Sequence, residues 1–262
     1  MLNREFAPIT NKAWNEIDER AKEVLKSYLS ARRAVKVNGP FGLDFNVITE
    51  GRLDNIVDEG ELCYGNYTVL PLTESRIEFE MDRWELDNLD RGAKDVDYEP
   101  LEKAAEKIAL FEENAIYNGL NNASIVGLEN SVTNKTIPFG KDLPNIMEAI
   151  SLGLIKLRES YQNGPFNLIV GEEIYKRILS TNSSYPLEER IEELIGGKII
   201  YSHVISGAYL LPHDHEDLEL TIGQDFAIGY KSYTDKSVRF FITESFTFRV
   251  LDSSLIIKYD VN

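Results

Sequence analysis

Apolar positions recur with a helical period over three long stretches of the chain and with a strand period over much of its last quarter. From Asn11 to Arg33, Trp14, Ile17, Ala21, Val24, Leu25 and Tyr28 fall on one stripe, and charged residues occupy the rest. That pattern predicts an amphipathic helix, capped by Thr10 or Asn11 and stopped by Asn38-Gly39-Pro40. Glu99–Asn118 predicts a second helix, with Leu101, Ala105, Ile108, Phe111, Ala115 and Ile116 inward and Gly119 as its stop. Asp142–Tyr161 predicts a third, carried by Ile146, Ala149, Ile150, Leu154 and Leu157. Phe41 to Gly65 is irregular and glycine-containing, and reads as a long extended hairpin loop. Arg76–Asp82 alternates strictly, Ile77, Phe79 and Met81 against Arg76, Glu78, Glu80 and Asp82, which predicts a strand with one wet face.

Phe166–Val170 reads as a buried strand, followed by two short helical segments reaching Ile195. Strands are predicted at Ile199–Ser202, Ala208–Leu211, Leu218–Ile222, Val238–Val250 and Leu255–Tyr259. Phe240, Ile242, Phe246 and Phe248 recur at period two, as on the inner face of a sheet. The order of elements, helices early and in the middle and strands late, defines an α+β chain. No internal repeat appears.

Composition narrows the function. The chain has 262 residues and a net charge of −16, from 44 acids against 28 bases. A surface that grips phosphates needs a basic patch, so this balance argues against nucleic acid as a partner. No apolar run is long enough to span a bilayer, and Met1–Thr10 has no apolar core of a secretion signal. The single cysteine, Cys63, excludes an internal disulfide and fits a reducing cytoplasm.

Candidate chemistry is sparse. His213-Asp214-His215-Glu216-Asp217 carries metal-ligand types, but beside Pro212 it reads as a solvated turn between strands. No glycine-rich phosphate loop and no Gly-x-Ser-x-Gly elbow occurs. Trp84 stands beside acids at the end of the alternating strand, where an aromatic serves as an anchor at a junction or as a stacking platform.

Four widely separated segments share one resemblance. They are Asp82-Arg83-Trp84-Glu85-Leu86-Asp87-Asn88-Leu89-Asp90-Arg91-Gly92; Phe6–Thr10 with Trp14, Ile17 and Asp18; Tyr185-Pro186-Leu187-Glu188-Glu189-Arg190-Ile191-Glu192; and Gly223–Tyr230 followed by Phe241–Phe248. In that combination the chain resembles family 1 encapsulins, the linocin-like shell proteins of bacterial nanocompartments. The resemblance implies an HK97-type phage-capsid fold. It implies a peripheral domain drawn from 1–40, 71–129 and 221–262, an extended loop over 41–70 and an axial domain over 130–220. It implies no catalytic residues, a homo-oligomeric icosahedral shell, and a cytoplasmic compartment around a cargo enzyme such as a ferritin-like iron-storage protein or a peroxidase. The length resembles that of the shorter members, which implies the smallest shell, of ~60 copies. Cargo would dock through its C-terminal targeting peptide on Leu25, Arg32, Phe226 and Ile228. Thr181, Asn182, Ser183, Ser184 and Tyr185 would line a pore at the five-fold axis. Some relatives hold a flavin at positions matching Trp84 and Arg76. A phage-type major capsid protein would share the fold, but such proteins enclose DNA, whereas this chain is strongly acidic, and commonly carry a long N-terminal scaffolding region, whereas here the Phe6–Thr10 signature starts almost at once. A hydrolase or bacteriocin-like protein is the third alternative, and would need a nucleophile and base in one pocket.

Overall fold

A computed structural model describes residues 2–181 and 185–261. The chain opens with helix α1 (Asn11–Tyr28), whose N-cap Thr10 accepts from the amide of Ala13. The amphipathic pattern runs on to Arg33, but the α-helix ends at Tyr28 and a 3₁₀ turn, Ala31–Arg33, follows. The reason is a distant side chain: Glu113 accepts from the Ser30 hydroxyl and, at 2.8 Å, from the Ala31 amide. Strand β1 (Lys36–Asn38) then leads into a hairpin of β2 (Val47–Asp58) and β3 (Cys63–Pro71). β4 (Thr73–Asp82) runs into α2 (Arg83–Arg91), capped by the Asp82 carboxylate and closed by Gly92 at φ 96°. α3 (Glu99–Asn118), α4 (Gly127–Ser131), β5 (Ile137–Pro138) and α5 (Leu143–Glu159) follow. Next come β6 (Phe166–Val170), α6 (Glu172–Ser180), α7 (Leu187–Ile195) and β7 (Ile199–Tyr201). The end is strands: β8 (Ala208–Pro212), β9 (Leu218–Ile222), β10 (Ala227–Tyr233), β11 (Ser237–Val250) and β12 (Ile257–Asp260).

Two sheets carry the cores. In the first, β11 is the hub, antiparallel to β4, β10 and β9, while β9 pairs parallel with β1. Phe240, Ile242, Phe246 and Phe248 are buried as the alternation predicts, with Glu244 on the same face, and so are Phe241, Thr243, Ser245 and Thr247 on the other face. β11 is thus covered on both sides rather than half-wet. α1 and α3 pack here, through Trp14, Ile17, Leu101, Ala105 and Ile108 against Phe79, Met81 and Phe240. The second sheet, in the order β5-β12-β8-β6-β7, packs against α5, α6 and α7. The division at 220 does not describe β12, which leaves the first sheet's stretch of sequence and pairs with β8 and β5. Its Tyr259 is fully buried among Phe139, Gly153 and Leu210, so apolar burial draws the C-terminal strand to the other core.

The hairpin of β2 and β3 forms a sheet of its own. Beyond Ile48 and Leu70 at its base, its apolar side chains face outward, including Ile56 at 68 %, Leu62 at 61 % and Tyr67 at 74 % exposure. A two-stranded ribbon of this kind is marginal alone and gains its stability by packing on something else.

The second core contains one flaw. The Tyr259 hydroxyl is buried and has no hydrogen-bond partner among the described residues. Removing an unpaired buried hydroxyl relieves its desolvation cost, so Tyr259→Phe is expected to stabilise the protein by about 1 kcal/mol in chemical denaturation. A loss of stability instead would mean that the hydroxyl is satisfied.

Candidate docking site and assembly surfaces

α1 and β10 flank a cleft of about 500 Å³. Its apolar lining is Ala21 and Leu25 of α1 and Leu29 just after it, with Phe226 just before β10, Ile228 of β10 and Ile242 of β11. Its rim is charged. Arg4 pairs with Asp18 at 2.6 Å, Lys22 with Glu19 at 3.1 Å and Arg32 with Asp225 at 2.8 Å. Lys26 is unpaired among the described residues and adds a cation to the rim. The structure therefore brings Leu25, Arg32, Phe226 and Ile228 together in one concavity. Leu25 and Ile228 are 8 % and 5 % exposed, so each packs in the core and shows one edge to the cleft.

Arg32 has a second engagement that sequence reading missed. Its Nε donates to Glu112 at 2.9 Å, and its Nη2 donates to Glu112 at 2.6 Å and to Glu244 at 3.3 Å. It also lies 4.7 Å over the Phe226 ring. Glu112 and Glu244 have no exposed side-chain surface. One guanidinium can balance only one of these carboxylates. Burial, then the neighbouring Glu112 charge, push the Glu244 carboxyl well above its ordinary range, so it keeps its proton. Arg32 is itself held charged against burial by Glu112 and Asp225. Its donors serve the core first. The signal for this cluster was in the sequence: Glu112 and Glu113 interrupt the apolar stripe of α3. Helical phase turns them inward and leaves Phe111, expected inside, 37 % exposed.

The remaining candidates lie apart. Thr181 donates to the Arg177 carbonyl at 2.7 Å, and Tyr185 donates to Glu193 at 2.9 Å. Hydrogen bonds to Glu193 and Glu189 push the Tyr185 phenol up to about 12. Asn182, Ser183 and Ser184 lie outside the described residues. Trp84 opens α2, 66 % exposed, with the Arg91 guanidinium 5.5 Å from its ring. Arg76 sits on β4 over Phe241 at 4.6 Å and pairs with Glu74 at 3.0 Å. The strand between Arg76 and Asp82 spans roughly 20 Å at ~3.3 Å per residue, so this chain does not place Arg76 against Trp84. In the histidine segment, His213 Nδ1 lies 2.9 Å from the Asn167 amide and His215 Nδ1 accepts from the Asp217 amide at 3.2 Å. Among the described residues no group of three metal-ligand side chains converges.

The architecture defines the class: an HK97-type capsid fold. Its solved neighbours include the virus-like particle of Pyrococcus furiosus, with a TM-score of 0.66 at 16 % identity over 94 % of this chain and 98 % of that one. The capsid of an empty GTA particle matches at a TM-score of 0.56 and 12 % identity, over 90 % of both chains. Likenesses at this identity speak for the fold alone. The sequence narrows the class further. Residues 1–247 match the family described as "Encapsulating protein for peroxidase". The type 1 encapsulin shell protein of Rhodococcus erythropolis is 36 % identical over 260 residues, 98 % of each chain. That of Mycobacterium tuberculosis is 33 % identical over 250 residues, 94 % of each. The chain belongs to the encapsulin shell-protein family, whose members are structural proteins and not enzymes.

The buried acids make a pH prediction. Burial raises the Glu113 carboxyl from its ordinary 4.5 to about 7, against the pull of its bonds from Ser30 and Ala31. The folded state therefore holds a proton that the unfolded state releases. The resulting stability is fully present below about pH 4.5 and is lost as pH rises through 7, a change of about 3 kcal/mol. Glu113→Gln imitates the protonated acid. Its stability is expected to lack this slope and to exceed that of the wild type at pH 8, as read from denaturation midpoints. Arg32→Met strands the Glu112 charge and is expected to destabilise by about 3–5 kcal/mol, with much of that loss recovered in the Arg32→Met, Glu112→Gln double variant.

Proposed function

We propose that copies of this chain close into an icosahedral shell of ~60 subunits that encloses an enzyme cargo, a peroxidase or a ferritin-like iron-storage protein, in the cytoplasm. The observation that carries the reading is the pairing of two incomplete surfaces on one subunit. The hairpin projects uncovered apolar side chains that need a neighbouring copy, and the cleft between α1 and β10 offers an apolar floor with a charged rim. The cargo's C-terminal peptide docks in the cleft, with apolar side chains on Leu25, Phe226 and Ile228 and main-chain carbonyls at the rim cations. Thr181 and Tyr185 stand at the five-fold axis. There the acids Glu189 and Glu193 beside Tyr185 bias the approach toward cations, weakly and in a salt-dependent way. A flavin would stack its ring on the exposed Trp84, with Arg76 toward its far end.

Electron microscopy of the purified chain is expected to show closed particles of uniform size; small oligomers under native conditions would remove the reading. Ile228→Asp places a charge at the cleft floor and is expected to abolish loading of a co-expressed cargo while shells persist. Full loading would move the docking site elsewhere, and lost assembly would make Ile228 a core residue only.

A further inference from the structure

The residues before α1 are held across the end of the docking cleft by a few weak contacts. The Leu2 carbonyl accepts from the Tyr230 amide of β10 at 2.8 Å. Asn3 stands at φ 51°, a left-handed conformation uncommon outside glycine. Arg4 pairs with Asp18, and its guanidinium lies 3.9 Å over the Trp14 ring. Both ends of the ion pair are about a third exposed, at 34 % and 39 %, so the pair is screened and weak. Phe6 packs on little and is 69 % exposed.

Arg4 also lines two cavities. One is the cleft of about 500 Å³. The other, of about 450 Å³, lies toward the N-terminal end of α1 and is lined by Glu5, Ala7, Ile9, Asn11, Trp14 and Asn15 besides Arg4. Arg4 is the one described residue common to both linings. Its side chain is thus a partition across a single groove that follows α1.

We propose that Leu2–Phe6 is a latch on the docking groove: when the Arg4–Asp18 contact opens, the two cavities join, and an extended cargo peptide longer than the first cavity occupies both. The inference rests on the cleft being the docking site. The latch then sets the length of peptide the shell accepts. A short peptide fits beneath Leu25 and Ile228 with the latch closed, and a longer one displaces Arg4 from Asp18 and from the Trp14 face. Such a segment suits the role because its bonds are few and its ion pair is only part-buried.

The test reads latch opening without cargo. In assembled Cys63→Ser shells, a thiol at the cleft floor, Ala21→Cys, is timed against N-ethylmaleimide by mass spectrometry. With the latch closed, Cys at 21 is expected to react much more slowly than a thiol at the exposed Lys22. Asp18→Asn leaves Arg4 in place but removes its partner charge, and is expected to speed the reaction about fivefold, equivalent to about 1 kcal/mol. Arg4→Lys should keep the slow rate, because lysine can still pair with Asp18. Arg4→Gln, measured in parallel, keeps the test decisive if Asp18→Asn shells do not assemble. Unchanged rates in both charge-removing variants overturn the latch, as does a wild-type rate equal to that at the exposed site. Loading by Ile228→Asp shells reports separately on the docking reading, so a failed latch and a failed site are told apart.

Discussion

One guanidinium organises the half of this subunit that holds the cleft between α1 and β10. Arg32 lies where the end of α1, the spine of α3, the centre of β11 and the turn before β10 meet, and it touches a carboxylate from each of the last three. A buried charge is tolerated only when paired and hydrogen-bonded. Here two buried glutamates share one cation, and the second glutamate is accommodated by keeping its proton. The arrangement fixes distances between elements that are 80 to 212 residues apart in sequence. The cleft depends on it, because Asp225 and Phe226 at the rim are placed by the same side chain.

Around this hub the subunit divides into surfaces that are finished and surfaces that are not. Both sheets have cores of fully buried aliphatic and aromatic side chains. The hairpin has almost none, and its apolar residues are distributed along an exposed ribbon. Other exposed apolar side chains, Leu152 and Ile155 on α5, Leu179 on α6 and Leu251 after β11, lie on elements whose opposite faces are packed. An encapsulin-family subunit carrying such faces is built to be completed by others of its kind.

The sequence alone determined what depends on neighbours a few residues away. Periodicity placed α1, α3, α5, β4, β6 and the long β11 strand, and a capping residue placed the start of α1. Four short segments, read by resemblance, pointed to the shell-protein family and to the residues that line the cleft. Tertiary structure decided the rest, and each case has a long-range cause. The end of α1 is set by Glu113, 82 residues away from Ala31. β10 escaped the strand pattern because its glycine and mixed polarity only make sense beside β11, where Gly229 admits the Phe241 ring. β12 crosses to the second core because Tyr259 fills a space opposite Gly153, where a Cβ would strike its hydroxyl. Arg32 reads as a surface cation in the chain and becomes the partner of two buried acids only when α3 and β11 arrive beside it. Hydrophobic periodicity is written along one element at a time; the neutralisation of a buried charge is settled only by what folding brings from elsewhere.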